Sequence, residues 1–197
     1  MKKKLIVMLL VVAMLPAMLF ASSDIMQIGL NIGYRPTLDT LMNNPESDWK
    51  DYFNMDYFSF APELKLNLFF IDLDATAQFA FMDEGTLINT EVAADLYAKL
   101  FGVVRLSAGA GLAMPFFYNK ANGTWYIDET VPMDGQSFLD TVKNSRLNYR
   151  AGVGFDFGRF NMMINYSVPT SGTFMNPDFK PDWYNGQFSL GLLVDLF

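Results

Sequence analysis

Between Ile25 and Arg35, Met26, Ile28, Leu30, Ile32 and Tyr34 alternate with Gln27, Gly29, Asn31, Gly33 and Arg35. A period of two puts the two sets on opposite faces of an extended strand, whereas a helix repeats its face about every 3.6 residues. The same rhythm recurs along the chain and predicts seven further strands, over 57–69, 71–81, 88–100, 103–114, 146–157, 160–168 and 188–197. In the second, Phe58, Phe60, Leu64, Leu66 and Leu68 oppose Ser59, Ala61, Glu63, Lys65 and Asn67. Pro62 stands on its apolar set and should interrupt pairing locally. In the fourth, Val92, Ala94, Leu96, Ala98 and Leu100 oppose Glu91, Asp95, Tyr97 and Lys99. The fifth sets Val104, Leu106, Ala108, Ala110 and Leu112 against Arg105, Ser107, Gly109 and Gly111, and the others follow suit.

The stretches between strands alternate in length. Residues 36–55, a loop around 82–87, the long 115–145 and 169–186 separate strand pairs that are otherwise joined at 69–70, by Phe101-Gly102 and by Gly158-Arg159. Turn signals at Asn122-Gly123 and Asp134-Gly135 predict a short hairpin or helical turn inside the longest connection. An even number of strands joined by alternately long and brief connections is the layout of an outer-membrane barrel, whose periplasmic turns are short and external loops long.

Ahead of the first strand stand Lys2, Lys3 and Lys4, an apolar run from Leu5 to Phe20, and Ala21-Ser22-Ser23. A charged start, a hydrophobic stretch and small residues make a secretory signal, cleaved after Ala21 or Ser23. The expected division is therefore a signal peptide over 1–23 and a barrel domain over 24–197. A retained anchor is the other reading, disfavoured because a membrane-spanning helix needs about 20 apolar residues. Without the leader's three lysines, 11 basic residues face 21 acidic ones, a net charge of −10. So acidic a chain is a poor partner for nucleic acid or anionic lipid. It contains no cysteine and no histidine, which removes disulfides, thiolate chemistry and the commonest general base and metal ligand.

Periodicity alone does not say which face of such a barrel is outside. A soluble lipid-binding barrel would turn the apolar face inward. Here the apolar sets carry no charge, as a surface in hydrocarbon demands, and the opposite sets are rich in Gly, Ala, Ser and Asn, which suits a narrow lumen. Tyr34, Phe58, Phe81, Tyr149, Tyr166 and Phe188 fall at strand ends beside the long connections. Phe69, Phe70, Phe101, Phe157, Phe160 and Phe197 fall at the short turns. Two aromatic rings at opposite rims match the girdles of a membrane-spanning barrel. The fold class expected is all-β, an eight-stranded antiparallel up-and-down transmembrane β-barrel.

With these strands and a terminal aromatic, the chain resembles the small eight-stranded outer-membrane proteins of Gram-negative bacteria, of the OmpX and OmpA membrane-domain type. The resemblance covers everything after the leader. It implies that the last strand, with Gly191 and the terminal Phe197, is read by the barrel assembly machinery. Asp195 departs from that signal, standing where the family usually has an apolar or aromatic residue, and Leu192, Val194 and Leu196 are out of phase with Phe197. The peptidoglycan-binding domain of longer relatives has no counterpart here, so that role is not implied. Barrel enzymes of this membrane use a histidine, so their mechanisms do not transfer and no enzymatic activity or cofactor is expected.

Ten charged residues fall on inward sets: Glu63, Lys65, Asp72, Asp74, Glu91, Asp95, Lys99, Arg105, Arg150 and Asp156. An eight-stranded barrel is just wide enough for side chains to fill, so these should pair across a plugged lumen. The tight turns predict Lys65 opposite Asp74 and Tyr97 opposite Arg105, with Arg105 also reaching Asp95 or Asp156. A structural polar core is favoured over a gate for small ions. Asp72 and Asp74 share a face, but the lysine beside them favours an ion pair over calcium. A catalytic Ser107–Lys99 pair is disfavoured for the same structural reason. Asn122-Gly-Thr124 is a turn before it is a glycosylation site. Trp49, Trp125 and Trp183 lie in long connections, where they either anchor an extracellular partner or mark the headgroup level. The expected function is structural or adhesin-like through the external loops, with outer-membrane lipid as the surrounding partner. A narrow channel or a carrier of small apolar molecules is the alternative.

Overall fold

The computed structural model describes residues 25–43, 53–68, 70–127, 131–133 and 137–196. The leader, Trp49, Phe69 and Phe197 lie outside these described residues. The strands are β1 (Met26–Tyr34), β2 (Phe58–Leu68), β3 (Ile71–Phe81), β4 (Gly85–Leu100), β5 (Val104–Asn119), β6 (Thr124–Ile127), β7 (Val131–Pro132), β8 (Arg146–Phe157), β9 (Phe160–Thr173) and β10 (Gln187–Asp195). Two short helices, α1 (Leu38–Asn43) and α2 (Phe138–Lys143), sit in the first and third long connections.

Eight of these strands form a closed antiparallel ring. The order is β4-β3-β2-β1-β10-β9-β8-β5, and β5 pairs back onto β4. The seam between the first and last strands runs unbroken from Gln27 opposite Asp195 to Tyr34 opposite Phe188. Closure removes the free edges that an open sheet would expose, which is what a strand in hydrocarbon requires. β6 and β7 lie outside the ring and add to the upper half of β5.

The sequence pattern matches the ring strands closely, with instructive exceptions. β4 begins at Gly85, so the expected loop around 82–87 is a turn of Met82–Glu84, closed by Met82 N donating to Gly85 O (2.9 Å) and Gly85 N to Met82 O (3.3 Å). Thr86 pairs with both Phe81 and Tyr118, which holds it in strand and breaks the expected long–short alternation at this one connection. β5 and β9 run on through Pro115 and Pro169. At those levels neither proline has strands on both sides: β5 leaves β8 at Ala113 and meets β6 at Phe116, while β10 leaves β9 at Ser167. A missing N–H costs little at such an edge. Pro62 interrupts the β2–β3 ladder, which is paired at Phe60–Phe79 and again from Glu63–Thr76 with unchanged register. The tight inner turns use left-handed backbone at Gly102 (φ 74°), Gly158 (φ 67°) and Phe101 (φ 54°), a conformation glycine adopts without cost.

Burial is inverted relative to a soluble domain. Val92, Leu96, Ile164 and Val153 are 55, 60, 48 and 44 % exposed around the middle of the wall, while Glu63, Lys65, Asp72 and Arg105 are at most 1 % exposed. A soluble barrel of this composition would leave about 1.5–3 kcal/mol unrealised for each such side chain kept in water. The apolar wall and charged interior fit a bilayer as solvent.

Candidate functional site

The lumen is the candidate site, and the ladder registers decide what meets there. Lys65 stands opposite Asp74. Its ammonium lies 3.6 Å from Glu63 and 4.0 Å from Asp74 and donates to Met163 Sδ at 3.3 Å. Asn31 donates to Glu63 Oε2 (2.9 Å), and Gln78 donates to Asn31 (3.3 Å). Arg150 donates to Asp74 at 2.8 Å and lies 3.6 Å from Asp95. Arg105 bonds Asp72, donates to Asn67 at 2.8 Å, and places its guanidinium carbon 3.8 Å from the centre of the Tyr97 ring. The result is a chain of polar side chains drawn from β1, β2, β3, β4, β5 and β8, its charged members and Asn31 nearly sealed from solvent and Asn67, Gln78 and Tyr97 half-buried.

Two pairings differ from expectation. Tyr97 stands opposite Ser107, and Arg105 opposite Lys99, because pairing is centred on Gly102 in the three-residue turn 101–103, which sets the partner of Tyr97 two positions further along β5 than expected. Tyr97 still meets Arg105, diagonally through its ring. Arg105 reaches neither Asp95 nor Asp156: Arg150 takes the former and Lys99 the latter, at 2.6 Å. That last pair sits at the inner mouth, where the Lys99 side chain is 46 % exposed, so Lys99 is not part of the sealed interior and is not free to activate Ser107. Asp72 and Asp74 each take an arginine. Glu91 lies above the sealed group.

Sequence reasoning overlooked two apolar lumen residues, Met163 and Leu193, each 0 % exposed. Each follows another apolar residue, so the doublets Met162-Met163 and Leu192-Leu193 carry the signal, one member facing out and one in. Gly191 faces Glu63. A Cβ there would stand 2.8 Å from Glu63 Oε2, so the missing side chain makes room for the carboxylate.

The sealed group separates two recesses. The outer one, about 500 Å³, is lined by Asn89, Glu91, Asn148, Ser189, Arg35 and Arg146 among others. The inner one, about 110 Å³, is lined by Gln27, Asn67, Lys99, Asp156, Asn161 and Asp195 with Gly158. Neither recess reaches past the central charges.

At the outer rim Phe58, Tyr34, Phe188 and Tyr166 stand on adjacent strands at one level. Ring centroids are 5.4 Å apart for Tyr34–Phe58 and 4.6 Å for Tyr166–Phe188. Phe81 and Tyr149 occupy the corresponding ends of β3 and β8. At the inner rim Phe157 pairs with Phe160 and stacks on Phe155 at 6.4 Å, and Phe101 is 97 % exposed in its turn. Trp125 lies on the β6 hairpin against Tyr118, ring centroids 5.1 Å apart. Asn122 is a turn residue whose Oδ1 accepts from Thr124 N at 3.0 Å.

A solved structure shares this architecture. The N-terminal β-barrel domain of Pseudomonas aeruginosa OprF superposes over 89 % of this chain and 100 % of that domain, with a TM-score of 0.50 and 13 % identity. The fold is a closed eight-stranded antiparallel β-barrel. A de novo designed protein, TMB2.3, is also similar, at a TM-score of 0.43 and 13 % identity over 90 % of this chain and 98 % of that one. No protein-family model and no curated protein matches the sequence.

Proposed function

We propose that the protein is an integral outer-membrane barrel of a diderm bacterium with a closed lumen, and that it acts as a structural or surface-interaction element through its outer connections. The observation that carries this reading is the interlocked Glu63–Lys65–Asp74–Arg150 interior inside an apolar, exposed wall. Side chains packed and ion-paired across a tube this narrow leave no open path for ions. The protruding β4–β5–β6–β7 sheet, with Trp125 at its tip, is the part best placed to meet a partner. The aromatic rims at both ends fit a chain held at the depth of a bilayer.

The experiment is conductance in a planar bilayer combined with gel mobility before and after boiling. A folded barrel with a closed lumen migrates anomalously until heated and gives no steps at ordinary voltages. Steady conductance in the unaltered protein would establish the narrow-channel alternative, which the recesses approaching the central charges from both ends favour.

A further inference from the structure

The connection between β9 and β10 does not stand above the barrel. Residues 179–183 cross the outside of the wall and are fastened to it. The hydroxyl of Tyr149, an outward residue of β8, donates to Phe179 O at 3.2 Å. The hydroxyl of Tyr166, an outward residue of β9, donates to Trp183 O. Thr170 forms a bridge with Pro181, and Asp182 N donates to Pro169 O at 2.9 Å, so the segment extends the edge of β9 that β10 leaves free. Val168, on the lipid-facing set between those tyrosines, is only 2 % exposed although its neighbour Ile164 is 48 % exposed. The crossing segment covers it. At Gly186 a Cβ would stand 2.3 Å from the Tyr166 ring, so the chain lies directly on the girdle there.

What this segment covers, it replaces with larger apolar groups. Phe179, Trp183 and Tyr184 are 58 to 62 % exposed. They continue the outer aromatic row of Tyr34, Phe58 and Phe188 sideways on the β8–β9 face. We propose that residues 179–184 form an interfacial anchor, an aromatic flap that sits in the headgroup–acyl boundary of the outer leaflet. Its partner is membrane lipid and not an extracellular ligand. Amphipathic rings with polar neighbours such as Asp178 and Lys180 favour that boundary, where one edge is apolar and the other wet. The tethers bind the flap to girdle side chains, at girdle depth. Trp125, by contrast, pairs through Tyr118, eight residues along β5 beyond Ala110, the residue that Tyr149 faces. That places it roughly 26 Å further along the strand.

The inference rests on the membrane reading, so its test carries a control for it. Single-tryptophan variants of the full barrel are refolded into phosphatidylcholine vesicles containing brominated lipid. One retains Trp183 (W49F/W125F), one retains Trp125 (W49F/W183F), and one carries Val92→Trp in the mid-wall with all three native tryptophans replaced by Phe. Phe60→Trp serves as wall reporter if the Val92 variant does not fold. The expected result is lipid quenching of Trp183 and of the wall tryptophan, several-fold stronger than that of Trp125, with aqueous iodide quenching in the reverse order. Trp183 quenched by iodide as strongly as Trp125 and untouched by brominated lipid overturns the flap while leaving the membrane reading standing. A wall tryptophan untouched by brominated lipid overturns both. Shielding of Trp183 that disappears on dilution of protein in lipid overturns the lipid assignment in favour of a second copy of the chain.

Discussion

Replacing Arg105 by alanine tests whether the lumen is held by paired charge. Arg105 is 1 % exposed, and its guanidinium serves Asp72, Asn67 and the Tyr97 ring together. Asp72 is 0 % exposed, and its second oxygen, Oδ2, already lacks a hydrogen-bond partner. Removing the cation also worsens an existing imbalance, since the buried Glu63, Asp72, Asp74 and Asp95 face Lys65, Arg105 and Arg150. Breaking one partner out of a buried pair costs about 3–5 kcal/mol. With a urea dependence of about 2 kcal/mol per molar, the midpoint should fall by roughly 2 M. The exposed Lys99–Asp156 pair provides the internal comparison: Lys99→Ala should cost no more than about 1 kcal/mol. In the double variant Arg105→Met/Asp72→Asn, both charges leave together, and most of the loss should be recovered because no orphan charge remains. The assay is urea unfolding in detergent micelles, read by tryptophan emission and by the unboiled gel band. If Arg105→Ala and Lys99→Ala shift the midpoint equally, or the double variant is worse than the single one, the pairing argument is wrong.

Further outcomes are expected elsewhere. At the seam, a Cβ on Gly29 would stand 1.9 Å from the Leu192 carbonyl oxygen, so Gly29→Ala should cost about 1–3 kcal/mol or more and weaken the fast-migrating folded band; at Gly33 the nearest atom is the Ser59 hydroxyl, which can turn away, and Gly33→Ala should keep that band. Val92→Arg should cost about 2–4 kcal/mol in a bilayer, because the side chain is mid-wall and 55 % exposed, and refolding yield into vesicles measures it; no loss would contradict a lipid-facing wall. In α2, the Ser137 hydroxyl and backbone N–H donate to Asp140 and hold its carboxyl below the ordinary value of 3.8. The folded value is the lower one, so the cap is complete above the ordinary value and is lost as pH falls through the depressed one; the amide shifts of Ser137 and Asp140 should titrate below pH 3.8.

The wall was legible because a ring strand has one constraint per face. Ile28 and Leu30 must be apolar where they meet lipid, and Asn31 must be small and polar where it meets the lumen, so period and charge are enough to read β1. The upper strand ends were not, because there the chain leaves the two-faced environment. β4 starts early and β9 runs past Pro169 only through neighbours that no local signal announces. The pairing partners in the lumen were legible to one register step. Lys65–Asp74 follows from a tight turn, but the three-residue turn 101–103 puts Ser107 and not Arg105 opposite Tyr97. Arg105–Asp72 depends on the cross-section of the closed ring, and no sequence separation encodes it. The crossing of residues 179–183 over Val168 was illegible for a plainer reason: the hydroxyls that fasten it belong to Tyr149 and Tyr166, aromatics whose position already had a sufficient explanation in the girdle.

The polar chain through the lumen recruits side chains from six strands, and the β2–β3 hairpin by itself does not contain a balanced set. The β2–β3 hairpin carries Glu63, Lys65, Asp72 and Asp74, while the arginines that neutralise its excess arrive on β5 and β8. A hairpin entering hydrocarbon alone would drag uncompensated carboxylates with it, at a cost that rises with depth. Insertion of β2–β3 ahead of β5 and β8 is therefore uphill, and favours a cylinder that comes together at the lipid surface, or under an escort that shields it, before it descends.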